Sequence, residues 1–527
     1  MGDSHSVEWP SLGHLLEDAT AAHGDKPLFI YEGQHLSYAD FNRRVNRLAN
    51  TLHELGVGKG DRVSVMLPNG FAFPMVWFAL AKLAAVMVPT NINYIEKDLH
   101  YILADSGAKA IVLDAEYLPR LQVVTSRLPD LEHILVLGDA PAGTFNLDVR
   151  MAAASESFTI GRVDQAELLN IQYTSGTTGF PKGCMLTHRY WLLMGQITNQ
   201  YLEFRQDDVD LTAQPFYYMD PQWNTVACMM SGIPLVIMQK FSISRFWPLV
   251  VENQVTLLYL LGTMPFFLMK REPDDLEKNH RLRIIICSGI VPHFHQTFEE
   301  RFNVPWREAF GMTETGVDLV MPLDDGQSVG SGAMGLPVLT KHARVVNAAE
   351  QEAPDGEIGE LVVRGEPMML GYWNKPDKTA EVIRDGWLHT GDLVFKDERG
   401  YFHWVGRIKD MVRRGGENIS AAEVEGAIIE HPGVKSAAVV AVPDELRGEE
   451  VKVYVILLSG ETPESVPPQM IVDFAAKKLA AFKLPRYVAY VEQFPLTPSE
   501  RVAKHELIRG QTDLRLNSYD RIAGIWR

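Results

Sequence analysis

The stretch richest in groups that could hold phosphate covers residues 173–183 and reads Tyr-Thr-Ser-Gly-Thr-Thr-Gly-Phe-Pro-Lys-Gly. The apolar residues 168–171 directly before it predict a strand that leads into this loop. Glycines allow positive φ and close backbone approach, so N–H groups and hydroxyls can converge on phosphate oxygens, and one lysine adds positive charge. The candidate phosphate-binding residues are Thr174, Ser175, Gly176, Thr177, Thr178 and Lys182. The stretch therefore predicts a loop that binds a polyphosphate.

This loop differs from the phosphate loop of Ras-like and related nucleotide hydrolases. Their fingerprint is Gly-x4-Gly-Lys followed by Ser or Thr. Here Pro181 precedes the lysine and Gly183 follows it. A Gly/Ser/Thr-rich stretch standing alone is equally typical of a plain surface turn, so other segments must decide between the two interpretations.

Composition excludes several classes of function. At 527 residues the chain is longer than one core usually holds, so two or more domains are expected. The formal net charge of -17 argues against a nucleic-acid partner, which requires a basic face. The cysteines Cys184, Cys228 and Cys287 are widely spaced, which predicts neither a disulfide framework nor a zinc site and suits a reducing, cytoplasmic location.

The most membrane-like stretch, residues 71–89, contains Pro74 and Lys82. These interruptions favour a buried helix followed by a strand over a membrane span. The first ten residues also lack the basic and apolar run of a signal peptide, so no export is predicted.

Strand and helix patterns alternate along the part of the chain before Gly400. Ser37 is placed to cap a helix with regular apolar spacing, and Gly56 is placed to end it. Residues 62–67 predict a strand, and Asn69 is expected to open the next helix. Further strands are predicted at residues 87–89, 111–113, 134–137, 234–238, 257–261 and 284–287. This alternation indicates parallel sheets of an α/β fold, with a second sheet from residue 234 onward.

The texture changes after about Gly400. Residues 406–416 form a basic, glycine-bearing connector, and smaller alternating units follow it. Strands are predicted at residues 451–457 and 487–491, and an amphipathic helix at residues 470–482. We therefore expect a domain of residues 1–409 and a compact α+β domain of residues 410–527. The polar tail after Ile508 either packs on the small domain or stays mobile.

Four further segments carry groups suited to nucleotide chemistry. They are residues 310–315 (Phe-Gly-Met-Thr-Glu-Thr), 385–392 (Asp-Gly-Trp-Leu-His-Thr-Gly-Asp), 416–420 (Gly-Glu-Asn-Ile-Ser) and 495–504 (Pro-Leu-Thr-Pro-Ser-Glu-Arg-Val-Ala-Lys). With the loop at residues 173–183, they resemble the acyl-adenylate-forming superfamily of acyl-CoA synthetases, peptide-synthetase adenylation domains and luciferases. The resemblance spans nearly the whole chain. It implies a large domain of parallel-rich sheets flanked by helices with a small β subdomain, and a small mobile C-terminal domain.

The resemblance also implies a reaction. A carboxylate attacks the α-phosphate of ATP to give an acyl-AMP and pyrophosphate, and the acyl group then passes to a thiol or an amine. The carboxylate is already ionised at neutral pH and needs no base. Catalysis must hold two anions in line and neutralise phosphate charge, which suits Mg²⁺, backbone N–H groups and cations. The implied cofactors are ATP, Mg²⁺ and coenzyme A.

In residues 310–315 the resemblance places Phe310 against adenine, Thr313 on the α-phosphate and Glu314 on Mg²⁺, a hard cation that prefers oxygen ligands. Phe310 stands where tyrosine is usual, so stacking remains but a hydroxyl contact is lost. Gly311 and Met312 complete this nucleotide-binding turn, and Thr177 and Glu314 are expected to act in catalysis.

Other carried-over residues bind the nucleoside. Asp392 is expected to accept the ribose hydroxyls, with Arg407 as a second ribose or phosphate contact; the alternative is a surface ion pair. Ser288 and Gly289 match the superfamily's small-residue adenine loop only loosely.

Asp410 matches the superfamily's hinge position, about which the small domain turns between adenylation and thioester formation. The pair Gly415 and Gly416 offers backbone to pantetheine, and Arg413 or Arg414 could meet the anionic nucleotide of coenzyme A. The alternative is a solvated basic loop.

The last segment departs from the superfamily pattern, which reads Ser-Gly-Lys followed by an apolar residue. Arg501 holds the place of the catalytic lysine, and Lys504 lies three residues further on. A planar guanidinium does not reproduce a point charge, so Lys504 is the preferred candidate and Arg501 its rival. In a third alternative neither acts, and the small domain works only in thioester formation.

Residues 414–420 (Arg-Gly-Gly-Glu-Asn-Ile-Ser) and 215–223 (Pro-Phe-Tyr-Tyr-Met-Asp-Pro-Gln-Trp) resemble segments of crotonobetaine/carnitine-CoA ligases and related short- or medium-chain acyl-CoA ligases. The residues expected to line the acyl pocket are Tyr217, Tyr218, Asp220 and Trp223. Aromatic rings around a carboxylate could hold a quaternary ammonium, but aromatic walls suit an uncharged ring or short chain equally. The acceptor stays open between coenzyme A and an amine, and a non-enzymatic binding relative is a further alternative. A homodimer is an open expectation.

Overall fold

The computed structural model describes residues 6–174, 181–261, 264–415, 417–496 and 502–527. The described chain divides into two compact units. The first takes in the residues up to Thr174, then Pro181–His342 and Val363–Leu388, and the second takes in Ala343–Val362 and the described residues from His389 onward. The α/β fold class predicted from the sequence is confirmed. The boundary at Asp410 stays a prediction.

The first sheet belongs entirely to the first unit. In spatial order its strands are Phe145–Asn146, His133–Leu137, Ala110–Asp114, Arg62–Met66, Val86–Pro89, Leu168–Thr174 and Lys182–Thr187. The pairs are parallel except the last, which is antiparallel. The expected phosphate loop therefore joins two neighbouring antiparallel strands, and its residues 175–180 lie outside the described part of the chain.

A second sheet of the first unit contains, in order, Ala333–Pro337, Gly316–Val320, Trp306–Met312, Ile284–Ser288, Leu257–Leu261, Asp210–Thr212, Leu235–Ile237, Pro27–Tyr31 and Gln34–Ser37. The strands from Trp306–Met312 to Pro27–Tyr31 pair in parallel. The carboxyl ends of parallel strands meet at one edge, so this sheet brings Ser288 and the residues after Trp306 to the same side.

Helices cover these sheets. In the first unit they are Leu12–His23, Tyr38–Glu54, Ala72–Leu83, Glu96–Ser106, Leu118–Thr125, Leu147–Ala153, His188–Leu202, Met219–Ser231, Ile243–Glu252, Met264–Met269, Pro292–Phe302 and Pro376–Val382, with 3-10 turns Ala115–Tyr117 and Asp275–Glu277. Short strand Ile383–Arg384 pairs with Trp387–Lys396. Ser37 caps its helix by accepting from the backbone N of Asp40 at 3.1 Å, as the sequence predicts.

Residues 71–89 fold as the buried helix Ala72–Leu83 and the strand Val86–Pro89, which confirms the sequence interpretation. Lys82 is buried and reaches the side chains of Glu17, Asn42 and Asn46. Among the described residues, none of the helices combines the length and apolar character needed to cross a bilayer.

The prediction that Asn69 opens this helix is wrong. Its side-chain amide donates to the carbonyls of Gln214 and Met238, both at 2.8 Å, and its oxygen accepts from the backbone N of Phe216 at 2.8 Å. Asn69 thus satisfies buried backbone groups that follow two strands of the second sheet, Asp210–Thr212 and Leu235–Ile237, and those bonds outweigh a capping role because unsatisfied buried polar groups are costly.

The second unit contains parts of the strands Lys341–Val346, Gly359–Gly365 and Trp387–Lys396, and all of Phe402–Arg407. Its main sheet runs Glu417–Ser420, Met411–Arg414, Gly448–Leu457, Tyr487–Tyr490, Tyr519–Asp520 and Ile525–Trp526, and Val434–Asp444 also pairs with Gly448–Leu457. The helices Ala421–Ile429, Pro468–Ala475 and Lys504–Leu507 and the 3-10 turns Ile408–Asp410 and Ala481–Lys483 complete the unit.

The structure of this unit decides two predictions, on the helix at residues 470–482 and on the tail after Ile508. The helix predicted at residues 470–482 is shorter, because backbone bonds from Lys477 to Phe474 and from Lys478 to Ala475 tighten its end after Pro468–Ala475. The tail packs on the unit: Tyr519–Asp520 pairs with Tyr487–Tyr490, and the buried Asp520 accepts from Arg527 at 2.8 Å.

Candidate functional site

The base of the expected phosphate loop is fixed by its two strands. Thr174 and Lys182 are paired across the antiparallel ladder, and the Thr174 hydroxyl donates to the Lys182 carbonyl at 3.4 Å. Gly183 is required for space rather than for positive φ, since an added Cβ would lie 2.4 Å from Ile171. Ser175, Gly176, Thr177 and Thr178 lie outside the described residues, so their roles stay predictions.

Tyr372, which sequence reasoning missed, joins the strand of Lys182 to the turn of Glu314. Its hydroxyl donates to Oε1 of Glu314 at 2.7 Å. Nζ of Lys182 lies 4.1 Å from the centroid of its ring, a cation–π distance. Burial, followed by the charge of Glu314, raises the pKa of Tyr372, so the phenol keeps its proton and acts as donor. The Gly-Tyr-Trp segment at residues 371–373 was the feature of the sequence that could have identified Tyr372.

The turn with Glu314 is a tight connection between the strands Trp306–Met312 and Gly316–Val320. Gly311 lies against the next strand, since an added Cβ would be 2.2 Å from the Gly316 carbonyl oxygen. The Thr313 carbonyl accepts from the Tyr190 hydroxyl at 3.1 Å, and the Glu314 carbonyl accepts from Met369 N at 2.7 Å. Glu314 is buried, which disagrees with a solvated loop acid.

Phe310, Met312 and Thr313 in this turn are half-buried. Cys184 lies beside it, and burial, with the Glu314 charge second, raises the pKa of its thiol well above the ordinary value. The thiol is therefore neutral and unsuited to nucleophilic chemistry.

Glu314 fits a magnesium ion that arrives with a nucleotide. Within the described ranges, no group of three or more His, Cys, Asp or Glu side chains is arranged to hold a metal. Mg²⁺ usually binds through one or two carboxylates together with substrate phosphates and water, rather than in an all-protein cage. Glu314 meets that requirement, because it is a buried carboxylate that contacts Tyr372, the aromatic residue beside Lys182.

The ends of three parallel strands are tied together near Ser288 and Gly289. The Tyr259 hydroxyl donates to Oγ of Ser288 at 2.7 Å, and Ser288 donates to the Ala309 carbonyl. The backbone N–H groups of Gly289 and Ile290 donate to the Glu308 carboxylate at 2.6 and 2.8 Å. Burial raises the pKa of Glu308 to about 8. Glu308 and Tyr259 were missed. Tyr259 is the one polar side chain in the strand Leu257–Leu261, whereas Glu308 stands beside Arg307 in the strand Trp306–Met312.

The expected acyl-pocket residues form an aromatic group with Tyr259. The rings of Tyr217 and Tyr218 meet edge to face at 4.7 Å, and Trp223 meets Tyr259 at 5.3 Å. Asp220, in the first turn of the helix Met219–Ser231, is buried. Burial first and the Asp220 charge second raise the pKa of Tyr259, so the carboxylate lies near this ring.

Asp392 and Arg407 are brought together in the second unit. They are paired residues of the strands Trp387–Lys396 and Phe402–Arg407, and Arg407 Nε lies 3.3 Å from Asp392 Oδ1. Trp404 Nε1 donates to the same oxygen at 3.2 Å. Asp392 is only 1% exposed, which disagrees with a plain surface ion pair. Trp404 was missed by sequence reasoning.

The connector residues also lie in the second unit. Asp410 ends the 3-10 turn Ile408–Asp410, and Lys504 Nζ lies 3.8 Å from its Oδ2. The same nitrogen lies 2.8 Å from Oε1 of Glu425, whose pKa is raised by burial against the opposing effect of Lys504. Arg501 lies outside the described residues.

The two connector arginines have different environments. Arg414 is buried and its Nε lies 2.7 Å from Oε2 of the buried Glu450, whereas Arg413 is exposed. Gly415 has a φ of 60°, which favours glycine, and Gly416 lies outside the described residues. Of the two arginines, Arg413 is the one accessible to a ligand.

Comparison with known proteins agrees with this arrangement. Residues 16–373 match the family model described as AMP-binding enzyme, and residues 423–501 match the AMP-binding enzyme C-terminal domain. A crotonobetaine/carnitine-CoA ligase of Salmonella arizonae is 32% identical over 516 residues, which cover 94% of this chain and 98% of the relative. The corresponding ligase of Proteus mirabilis is 31% identical, with the same coverage.

Solved structures show the same fold. The anthranilate CoA ligase AuaEII in complex with anthranoyl-AMP has a TM-score of 0.88 at 25% identity, covering 95% of this chain and 97% of that one. ATP-bound MatB from Rhodopseudomonas palustris has a TM-score of 0.84 at 28% identity, covering 94% and 98%. The resemblance inferred from the sequence is confirmed: the chain belongs to the AMP-binding enzyme family and stands among its acyl-CoA synthetases.

Proposed function

We propose that this enzyme activates a small or medium carboxylic acid with ATP to give an acyl-AMP and pyrophosphate, and then transfers the acyl group to coenzyme A. The products of the second step are acyl-CoA and AMP. The arrangement around Tyr372 carries the proposal. Its hydroxyl contacts Glu314 at 2.7 Å and its ring contacts the Lys182 ammonium at 4.1 Å, so one side chain connects an anionic and a cationic group. Phosphates bound with a metal require both kinds of group.

In the first half-reaction Lys182 and the loop residues Ser175, Thr177 and Thr178 bind the phosphates, and Thr313 contacts the α-phosphate. Glu314 holds Mg²⁺, which when bound offsets negative charge on the phosphate oxygens. The acyl carboxylate needs only to be held in line with the α-phosphate, since it is ionised at neutral pH.

A separate set of residues binds the nucleoside. Phe310 stacks on adenine, and Ser288 and Gly289 border it. Asp392 accepts the ribose hydroxyls, with Arg407 beside it. Asp392 is buried, and Trp404 and Arg407 both contact the same oxygen of its carboxylate. These contacts fix the orientation of the carboxylate, which supports this role.

In the second half-reaction residues 410–527 act as a mobile domain that turns about Asp410. Gly415 and Gly416 then lie along pantetheine, and the exposed Arg413 meets the anionic nucleotide of coenzyme A. The pairing of Lys504 with Glu425 favours Arg501 as the cation of adenylation, because the Lys504 charge already has a carboxylate partner at 2.8 Å.

The named relatives and neighbours favour coenzyme A as acceptor over an amine. The crotonobetaine/carnitine relatives and AuaEII are named CoA ligases, and the amide-forming alternative is therefore not favoured. The acyl group stays open: the relatives' name includes carnitine and crotonobetaine, whereas AuaEII is an anthranilate ligase. Both cationic and aromatic acids belong in a substrate screen.

Two finer points are also part of the proposal. The three cysteines are free and buried, which supports a cytoplasmic location where no disulfide is needed. The second point is the expected homodimer, which light scattering on the purified chain tests.

The deciding experiment is pyrophosphate release with ATP and Mg²⁺ over a panel of short-chain, aromatic and betaine acids, with and without coenzyme A. At least one acid should give pyrophosphate and, with coenzyme A, a thioester identified by mass spectrometry. The Glu314→Gln variant should lose this release. Absence of pyrophosphate with every acid, despite a folded protein, would overturn the proposal.

A further inference from the structure

We infer that Tyr372 is a positioning residue for adenylation, which orients the Glu314 carboxylate for Mg²⁺ through its hydroxyl and places the Lys182 ammonium for phosphate through its ring. The inference rests on the proposed function and deepens it. The hydroxyl contact of Tyr372 affects Mg²⁺ binding, and its ring contact affects phosphate binding.

The hydroxyl contact fixes the orientation of one carboxylate. Tyr372 is 4% exposed, and its hydroxyl donates to Oε1 of Glu314 at 2.7 Å. Burial of both partners makes the contact stronger than it would be in water. A carboxylate that is hydrogen-bonded before metal binding needs less reorganisation, as is usual for the partners of metal ligands.

The ring contact concerns a different group. The Lys182 ammonium lies 4.1 Å from the ring centroid, and an ammonium over an aromatic face is attracted electrostatically to the ring. This attraction narrows the set of rotamers that the long lysine side chain samples. The ring therefore favours one position of the cation at the base of the phosphate loop.

The backbone around Tyr372 is held on both sides. Met369 N donates to the Glu314 carbonyl at 2.7 Å, and Trp373 N donates to the Gly183 carbonyl at 2.8 Å. Tyr372 N itself donates to Oγ1 of Thr379 at 2.9 Å. A positioning group needs such a rigid support, because a small displacement loses much of its effect.

Two substitutions separate the contacts. Tyr372→Phe keeps the ring and removes the donor, so the Mg²⁺ concentration for half-maximal ATP binding should rise about tenfold or more. Tyr372→Gln keeps an N–H donor and removes the ring, so ATP affinity at saturating Mg²⁺ should fall about threefold to tenfold. Tyr201→Phe is the matched control, because that hydroxyl accepts from Leu339 N at 2.7 Å instead of contacting Glu314.

Binding is measured by titration calorimetry with ATP at stepped Mg²⁺ concentrations, so the readout does not require turnover, and thermal melting checks folding. An unchanged Mg²⁺ requirement in Tyr372→Phe overturns the inference, as does an equal loss of both constants in both variants, which indicates a merely structural role. If Tyr372→Phe folds poorly, Tyr372→Gln decides alone: it must weaken ATP binding while its Mg²⁺ requirement stays near the parent value. If the parent binds no ATP, the proposed function fails as well.

Discussion

Nζ of Lys341 lies 3.5 Å from Oδ1 of Asp318, and both side chains are completely buried. The ammonium also donates to the carbonyl oxygens of Thr315, at 2.8 Å, and Pro367. Thr315 follows Glu314, and Pro367 lies shortly before Tyr372. The pair thus supports both chain segments that carry the proposed magnesium site.

Replacing Lys341 with Met should lower the free energy of unfolding by about 3–5 kcal/mol, because it leaves the Asp318 charge buried and unpaired. Thermal and urea unfolding measure the loss. Lys378→Met breaks an exposed pair with Glu381 and should change the same quantity by less than about 1 kcal/mol. Adding Asp318→Leu to Lys341→Met should recover stability; no recovery would contradict the assignment of the loss to the unpaired charge.

Pyrophosphate exchange in Arg501→Ala and Lys504→Ala should identify the adenylation cation. We expect Arg501→Ala to lower exchange by about 10²-fold or more, the usual effect of removing one charge-stabilising group from a reacting site. Lys504→Ala should keep exchange within about tenfold, because its nitrogen is engaged with Glu425 at 2.8 Å. The reverse pattern would return Lys504 to the catalytic role, and retention in both variants would leave the small domain to thioester formation alone.

Asp410→Pro should spare acyl-AMP formation and impair thioester formation, since proline restricts the backbone rotation that a hinge requires. Pyrophosphate exchange reports the first step, and acyl-CoA formation from isolated acyl-AMP reports the second. Asp410→Ala is the control: it removes the carboxylate 3.8 Å from Lys504 Nζ but leaves the backbone free. Equal loss of both steps in Asp410→Pro would count against a hinge at this residue.

The stability of Asp210→Asn relative to the parent should increase with pH. Asp210 is buried, accepts from Leu211 N at 2.8 Å, and burial raises its pKa from 3.8 to about 7. A raised carboxyl pKa stabilises the fold fully below about pH 4, and this stabilisation is lost as the pH rises to about 7. Asparagine cannot ionise, so the difference between variant and parent should grow by about 2–3 kcal/mol from pH 5 to pH 8.

Melting temperatures across that range measure the effect. The matched control is Asp207→Asn, whose carboxylate is 75% exposed beside Arg281 and should give a flat difference. A flat difference for Asp210→Asn as well would show that its carboxyl group titrates alike in the folded and unfolded chain.

Asp220→Asn tests whether the acid substrate carries a positive charge. If a betaine binds among Tyr217, Tyr218 and Trp223, loss of the nearby carboxylate should lower kcat/KM for it by about tenfold or more. An uncharged acid of similar size, measured on the same variant, serves as control and should change little. An unchanged ranking of the two acids would end the cationic-substrate hypothesis.

Local sequence determined much of this protein. The helix beginning after Ser37 and the strand Leu168–Thr174 follow from capping and apolar periodicity, which act between neighbours in the chain. The identities of Lys182, Glu314 and Asp392 as candidate ligands came from motifs whose spacing is short. Family membership was therefore predictable from the sequence alone.

Tertiary structure decided which of these groups meet and what supports them. Tyr372 reaches Glu314 although 58 positions separate them, and Lys504 contacts Glu425 although 79 positions (504 − 425) separate them. Asn69 does not take the capping role that its type suggests, because the buried carbonyls of Gln214 and Met238, which follow strands of another sheet, accept from its amide. Such contacts depend on how sheets and helices pack, and neither residue type nor local period encodes that arrangement.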